Sequence, residues 1–190
     1  MKPVSASTFI PAAVDHPQIG DFDALVRLHW PRVYRFALAA LRDRDAAETV
    51  AQDCFVRAHR ARSTFRGDSS VQTWLMRIAV NLVRDAARNR RLQFWKHLRD
   101  TSLAPDAVSD WLPDPEASPE SKALLKEHIQ IAWTAAAALS AKQRIVFLLR
   151  FVEDMDLLEI AAATGMSEGA VKVHLFRAVH SVRKKIGNRL

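Results

Sequence analysis

Asp156-Leu-Leu-Glu159-Ile-Ala-Ala-Ala-Thr-Gly165-Met-Ser167-Glu-Gly-Ala-Val171-Lys-Val-His-Leu-Phe176-Arg177 decides the fold of the second half of this chain. Asp156 with Glu159 forms a capping box, so a short helix is expected over Leu157 to Thr164. Gly165 can take the positive φ that stops it, and Ser167 can cap a long helix running to about Ile186. Short helix, glycine-containing turn and second helix make the helix-turn-helix pattern. Ile160, Ala161, Gly165, Met166 and Val171 occupy the positions that pack its two helices together. Upstream, Ser140 with Gln143 makes another capping box ahead of Ile145, Val146, Leu148 and Leu149. On the last helix Val171, Leu175, Ala178, Val179, Val182 and Ile186 share the buried side. Gly169, Val173, Phe176, Arg177, His180 and Lys184 project outward, with Lys172 and Arg183 flanking them. A solvated helix gains nothing from an outward Phe beside an Arg. In a major groove the Phe meets a thymine methyl and the Arg reaches guanine or phosphate. His174 has no His, Cys or acid at ligand spacing, so no metal is expected.

Charge divides the chain around a spacer. Its 190 residues carry a formal charge of +7. Residues 21–95 are net +6 and residues 121–190 net +5, whereas residues 96–120 are net −4 and hold Pro105, Pro113, Pro115 and Pro119. Prolines at that density forbid a long helix, which marks a linker. The expected organisation is a disordered tail over 1–20, a helical domain over 21–95, a linker over 96–122 and a second helical domain over 123–190. Five glycines and no sustained period-two alternation argue for an all-α fold. One cysteine, Cys54, excludes a disulfide framework and any CxxC motif, and its apolar neighbours suit inert packing. No run approaches the roughly 18 apolar residues of a membrane span, and the first twenty residues have no secretory h-region. A cytoplasmic protein without metal, cofactor or membrane insertion is expected. No nucleophile–base set or phosphate loop suggests an enzyme.

In the first block Asp21 can cap a helix through Phe22, Leu25, Val26 and His29. Pro31 is expected to break or restart that helix ahead of Val33 and Phe36. Asp45 can cap a second run with Ala47, Val50, Ala51, Cys54, Phe55 and Ala58 on its apolar face. The turn Phe65-Arg-Gly67-Asp-Ser69 then leads into a long helix from about Ser70 to Arg91. On that helix Val71, Trp74, Leu75, Ile78, Ala79, Leu82 and Ala86 share one side. Arg77, Asn81, Arg84, Arg88 and Arg91 form a stripe on the other, with Asp85 beside it. Solvated helix faces usually mix signs, so an acid-free arginine stripe holding one amide suits phosphates and a base edge.

Two segments of the first block, Asp45-Ala-Ala-Glu48…Gln52-Asp53-Cys-Phe55-Val-Arg57-Ala58 and Phe65-Arg-Gly67-Asp-Ser…Thr73-Trp74-Leu-Met-Arg77-Ile-Ala-Val-Asn81, resemble domain 2 of the extracytoplasmic-function (group 4) sigma factors. Residues 170–178 resemble domain 4 of the same family. Thr49 stands where the family usually has a second acid. The resemblance implies that Asp45, Glu48, Gln52 and Asp53 contact the clamp of bacterial RNA polymerase. It implies that Phe65, Ser69, Trp74, Arg77, Asn81, Arg84, Arg88 and Arg91 hold the promoter −10 element. There the loop from Phe65 to Ser70 would capture an unstacked base. Gly169, Lys172, Val173, Phe176, Arg177, His180 and Lys184 would read the −35 element. The implied partners are core RNA polymerase, promoter DNA and an anti-sigma factor.

About 30 residues separate Arg91 from Ala123. As a flexible coil they span roughly 30 Å, and at full stretch about 100 Å. Elements two helical turns apart lie roughly 70 Å from one another, so the two domains can touch in the free chain but need a scaffold to read both at once. Two other readings compete with this one. A sigma mimic that sequesters an anti-sigma factor would not retain both basic faces. A plain helix-turn-helix repressor leaves the first block unexplained.

Overall fold

A computed structural model of the chain describes residues 21–94, 136 and 138–187. The tail expected over 1–20 and the linker expected over 96–122 lie outside the described residues. The described residues form helices and turns with no strand among them. In chain order they are α1 (Phe22–Leu41), α2 (Arg44–Ala61), a 3₁₀ turn (Arg62–Thr64), α3 (Val71–Phe94), α4 (Ala141–Phe151), α5 (Leu157–Thr164) and α6 (Glu168–Gly187).

Helices α1, α2 and α3 pack on one another as a three-helix unit. Asp21 caps α1 by accepting from the Ala24 N–H at 2.9 Å. Two expectations are corrected here. Pro31 does not interrupt α1, which runs through it from Phe22 to Leu41. A proline inside a helix removes one hydrogen bond, but the following turns bury Val33, Phe36, Ala37 and Leu38 almost completely. Each large side chain so buried contributes roughly 1.5–3 kcal/mol, which offsets the loss. The cap of α2 is Asp43 rather than Asp45: Asp43 accepts from the Ala46 N–H at 3.0 Å, leaving Asp45 in the first turn. The α1–α2 corner turns on Arg42 at φ 57, whose N–H closes onto the Leu38 carbonyl.

The second unit is α4, α5 and α6, also mutually packed. Both capping boxes form as the sequence predicts. Ser140 and Gln143 close α4, and Asp156 and Glu159 close α5. Gly165 ends α5 at φ 69 with its N–H on the Ala161 carbonyl. Beneath the turn, Ile160, Ala163 and Val171 are buried, and Met166 packs partly buried against them.

The two units form one continuous apolar core, because α3 lies against α5 and α1 against α4. This explains a band of burial that the helix wheel missed. Val71, Leu75, Ala79 and Leu82 are buried as expected, but so are Thr73, Met76, Val80 and Val83. A helix packed on two sides needs an apolar arc wider than one stripe.

Candidate nucleic-acid interface

The outward face of α6 is built as the spacing requires. Ser167 Oγ accepts from the Ala170 N–H at 3.2 Å and starts the helix. Val171, Ala178 and Val182 anchor its inner side. Gly169, Lys172, Val173, Phe176, Arg177, His180 and Lys184 are all exposed on the other. Phe176 is 74% exposed, the largest value among the exposed large apolar side chains. Its ring lies nearly parallel to that of His180 with centroids 6.4 Å apart. Lys172 pairs with Glu168 one turn back at 2.6 Å, an exposed contact worth little in water. The result is a protruding aromatic edge flanked by cations. His174 stands to one side of it, its Nδ1 buried without a hydrogen-bond partner. Among the described residues no group of His, Cys, Asp or Glu could hold a metal.

In the first unit the expected residues fall on two surfaces. Asp45, Glu48, Gln52 and Asp53 are exposed along α2, with Gln52 donating to Glu48 at 3.3 Å. The departing Thr49 turns its hydroxyl back onto the Asp45 carbonyl at 2.8 Å, so it adds no charge to that face. Beside this acidic face Val56 is exposed, and on α1 Leu28 is 70% exposed. Neither was singled out from sequence, because a single apolar residue off the stripe carries no periodic signal. Behind the face Cys54 is fully buried, its thiol on the Leu75 carbonyl. Burial pushes that thiol up to about 12, with Arg57 opposing.

Ser70 caps α3, its Oγ accepting from the Thr73 N–H at 3.1 Å. In the preceding loop Gly67 takes φ 76. Phe65 is buried against half-buried Trp74, ring centroids 5.0 Å apart, so these two aromatics form the loop's floor. Ser69 is half-buried above. Along α3, Arg77, Asn81 and Arg88 are exposed and Arg84 is half-buried. Arg88 pairs with Asp85 at 2.9 Å, both largely in solvent. The side chain of Arg91 lies outside the described residues.

Two arginines of the stripe also meet α5. Arg77 Nε donates to the Ala162 carbonyl at 3.2 Å, and Arg84 Nη1 donates to the Thr164 carbonyl at 3.0 Å. Both acceptors lie in the last turn of α5, where helix carbonyls lack intrahelical partners and carry the negative end of the macrodipole. Asn81 shares a cleft of about 390 Å³ with Arg77 and residues 161–166. Further along the same seam Thr73 Oγ1 donates to Glu159 at 3.3 Å and Gln72 to the Glu153 carbonyl at 3.3 Å. Arg35 on α1 meets the Glu153 carboxylate at 3.2 Å, that side chain being fully buried. Burial raises the Glu153 pKa, while Arg35 and then Arg32 oppose the shift. Arg144 of α4 reaches the Ala40 carbonyl at the end of α1 at 3.1 Å. Sequence reasoning missed Arg35, Gln72, Thr73, Arg144 and Glu153. None of these seam contacts is local in sequence, and only the packing of one unit on the other brings the partners together.

Residues 25–93 match the family model described as Sigma-70 region 2, and residues 129–180 match that described as Sigma-70, region 4. The chain is 32% identical over 157 residues to a Xanthomonas campestris protein named "Probable RNA polymerase sigma factor RfaY", covering 83% of this chain but spanning only 38% of that relative. It is 30% identical over 178 residues to the ECF RNA polymerase sigma-E factor of Escherichia coli, covering 91% of this chain and 92% of the relative. Among solved structures, the Bartonella quintana sigma factor RpoE, in complex with the anti-sigma factor NepR, shares the fold with a TM-score of 0.69 at 23% identity, covering 88% of this chain and 97% of that one. With a region 2 unit, a region 4 helix-turn-helix and full-length relatives of this kind, the chain belongs to the ECF sigma factors, which initiate transcription at specific promoters with RNA polymerase.

Proposed function

We propose that α6 reads the −35 element through Phe176 and Arg177, with Lys172, His180 and Lys184 placing it on the backbone. The face of α3 bearing Arg77, Asn81, Arg84 and Arg88, together with the loop over Phe65 and Trp74, holds the −10 element and helps open it. The acidic face of α2, Asp45 to Asp53, docks on core polymerase. The observation that carries this reading is Phe176, 74% exposed beside Arg177 on the second helix of a helix-turn-helix. Protruding apolar surface costs solvation free energy unless a groove receives it. The protein acts by binding, with catalysis left to polymerase. It works in the cytoplasm, and no described helix is long and apolar enough to cross a membrane. An anti-sigma factor is its expected regulator, as in the RpoE–NepR complex.

The test is Arg177→Ala in the reconstituted holoenzyme, assayed on single-base −35 variants at two salt concentrations. A base-reading Arg177 costs roughly 1–3 kcal/mol on loss and relaxes preference at one position. A phosphate contact instead weakens all sites alike and lowers the salt slope by about one. Unchanged affinity and slope would place the recognition face elsewhere.

A further inference from the structure

We infer that the corner where α1, α3 and α4 meet is a binding site for a small amphipathic carboxylate, a short aliphatic chain carrying one carboxyl group. This goes beyond the promoter contacts proposed above, because it assigns a ligand to a separate cavity.

The cavity measures about 280 Å³. Its apolar walls are Ala40 from the end of α1, Val83 and Ala87 from α3, and Ala141 and Ile145 from α4. Ala40, Val83 and Ile145 are buried, whereas Ala87 and Ala141 are exposed, so the space runs from the core out to solvent. Interiors are otherwise close-packed, and here the short alanine side chains are what leave room. Ligand sites usually hold roughly 300–1,000 Å³, so this one suits a ligand smaller than a cofactor. No aromatic ring lines it, and nothing in it favours a flat body over an aliphatic chain.

The rest of the wall is cationic. Arg84, Arg88 and Arg144 line the cavity, and no acid does. Arg84 donates through Nη1 to the Thr164 carbonyl, and Arg88 through Nη2 to Asp85. A guanidinium has further N–H groups, so each keeps donors for a second acceptor. Arg144 is anchored on the Ala136, Leu139 and Ala40 carbonyls, which fixes its place in the wall. Burial, and then the charge of Arg42, hold Arg144 below the usual arginine value. Arg42 itself has its Nε buried without a hydrogen-bond partner. A corner that disfavours its own cations is one where a bound anion gains most.

The two halves of the wall select the ligand together. A nucleic-acid backbone would meet the arginines but leave the aliphatic side wet. An alkane would fill the aliphatic side and leave the arginines unanswered. A carboxylate accepts paired N–H donors from a guanidinium, and the chain behind it displaces water from Ala40, Val83 and Ile145.

The experiment titrates the full-length protein, with isotope-labelled Ala, Val and Ile methyl groups, while methyl NMR spectra are recorded. The probes are butanoate, hexanoate and octanoate, with octanol lacking the charge and inorganic phosphate lacking the chain. Saturable shifts are expected at Ala40, Val83 and Ile145. Affinity should rise about fourfold per methylene, the equivalent of roughly 0.8 kcal/mol per buried CH₂. Octanoate should bind at least about tenfold more tightly than octanol, as one charge-assisted hydrogen bond requires. Ala87→Leu and Ala141→Leu fill the outer part of the cavity with a good helix former, and each should abolish saturation by octanoate. Arg88→Gln should weaken octanoate and leave octanol unchanged, whereas Arg60→Gln, at an exposed site on α2, should change neither. Arg144 is left intact because its carbonyl contacts support the fold. Equal binding of octanoate and octanol would reduce the site to an apolar hole. Phosphate binding as tightly as octanoate would make it a bare anion site. Affinity independent of chain length, or shifts spread evenly over the protein, would mean that the carboxylate merely adsorbs. Each of these results overturns the inference, as does the absence of saturable shifts at the three named residues.

Discussion

Cys54 shows how one residue's environment can be turned into a measurement. Its thiol is fully enclosed between α2 and α3, and burial lifts its pKa from 9.0 to about 12. The folded chain therefore holds that proton more tightly than the unfolded chain does. The resulting stability is fully present below about pH 9 and is lost as pH rises toward about 12. Against Cys54→Ala, whose small cavity penalty does not titrate, the wild-type advantage in urea unfolding should shrink across that window. A gap that stays constant with pH would mean the thiol is not protected. Consistently, thiol reagents should label the native protein slowly and the unfolded protein at once. Asn81 belongs to this scale too. Its side chain is exposed and supports no core contact, so Asn81→Ala should leave stability within about 0.5 kcal/mol of wild type. The same change should reduce permanganate-reactive thymines at the −10 element while polymerase binding is kept. Melting equal to wild type would remove Asn81 from the interface. Trp74→Ala is a poorer probe, because Trp74 packs on Phe65 and its loss also opens a cavity worth a few kcal/mol.

Among the elements, α5 is the one most dependent on its ends. It has eight residues, short for a helix that must present its last carbonyls to α3. Asp156 accepts from the Glu159 N–H at 2.8 Å and Glu159 returns to the Asp156 N–H at 3.0 Å. Glu159 also receives Thr73 across the seam, so one carboxylate serves both cap and dock. Asp156→Ala should cost roughly 1 kcal/mol of stability through loss of the cap. It should also loosen the α3–α5 contact, seen as faster amide exchange along α5 and along residues 72–84 of α3. Faster exchange in α5 alone would show that cap and dock are independent. The other end depends on backbone geometry. Gly165 sits at φ 69 with open space where a Cβ would go, so Gly165→Ala meets no clash. Its cost, roughly 1 kcal/mol, is the left-handed conformation itself.

For the whole molecule, the Glu153 carboxyl links the packing of the two units to pH. Burial raises its pKa in the folded chain, against the opposing charges of Arg35 and Arg32 on α1. In the unfolded chain it is solvated and titrates as an ordinary carboxylate. The folded chain thus binds the proton more tightly. This contribution to stability is present at low pH and is lost as pH rises through the raised value. Against Glu153→Gln, which does not titrate, wild-type stability in urea should fall between about pH 5 and about pH 8. Arg35→Gln should enlarge the fall, because the counter-charge that opposes the shift is gone. A difference that moves the other way with pH would show that the ion pair outweighs desolvation.

Local rules made much of this molecule readable. Ser140–Gln143 and Asp156–Glu159 each hold a side chain and the N–H it caps within one turn, so the sequence carries both partners of the bond. The same holds for Gly165, where a glycine meets a positive φ, and for the outward row from Gly169 to Lys184, fixed by a 3.6-residue period once α6 is known to be helical. Where competing terms were non-local, sequence failed. Pro31 reads as a break or restart because its missing hydrogen bond is local, while the burial of Val33, Phe36 and Leu38 that outweighs it depends on α2 and α3. Asp43 and Asp45 both suit a cap, and the choice followed from the αL turn at Arg42. The α3 stripe reads from sequence as a row of donors. Its present acceptors could not be foreseen, because Ala162 and Thr164 contribute backbone oxygen, which every residue has. Likewise Glu153 and Arg35 are 118 residues apart. A bond between side chains that far apart leaves no periodic trace, so only the docking of one helical unit on the other could reveal it.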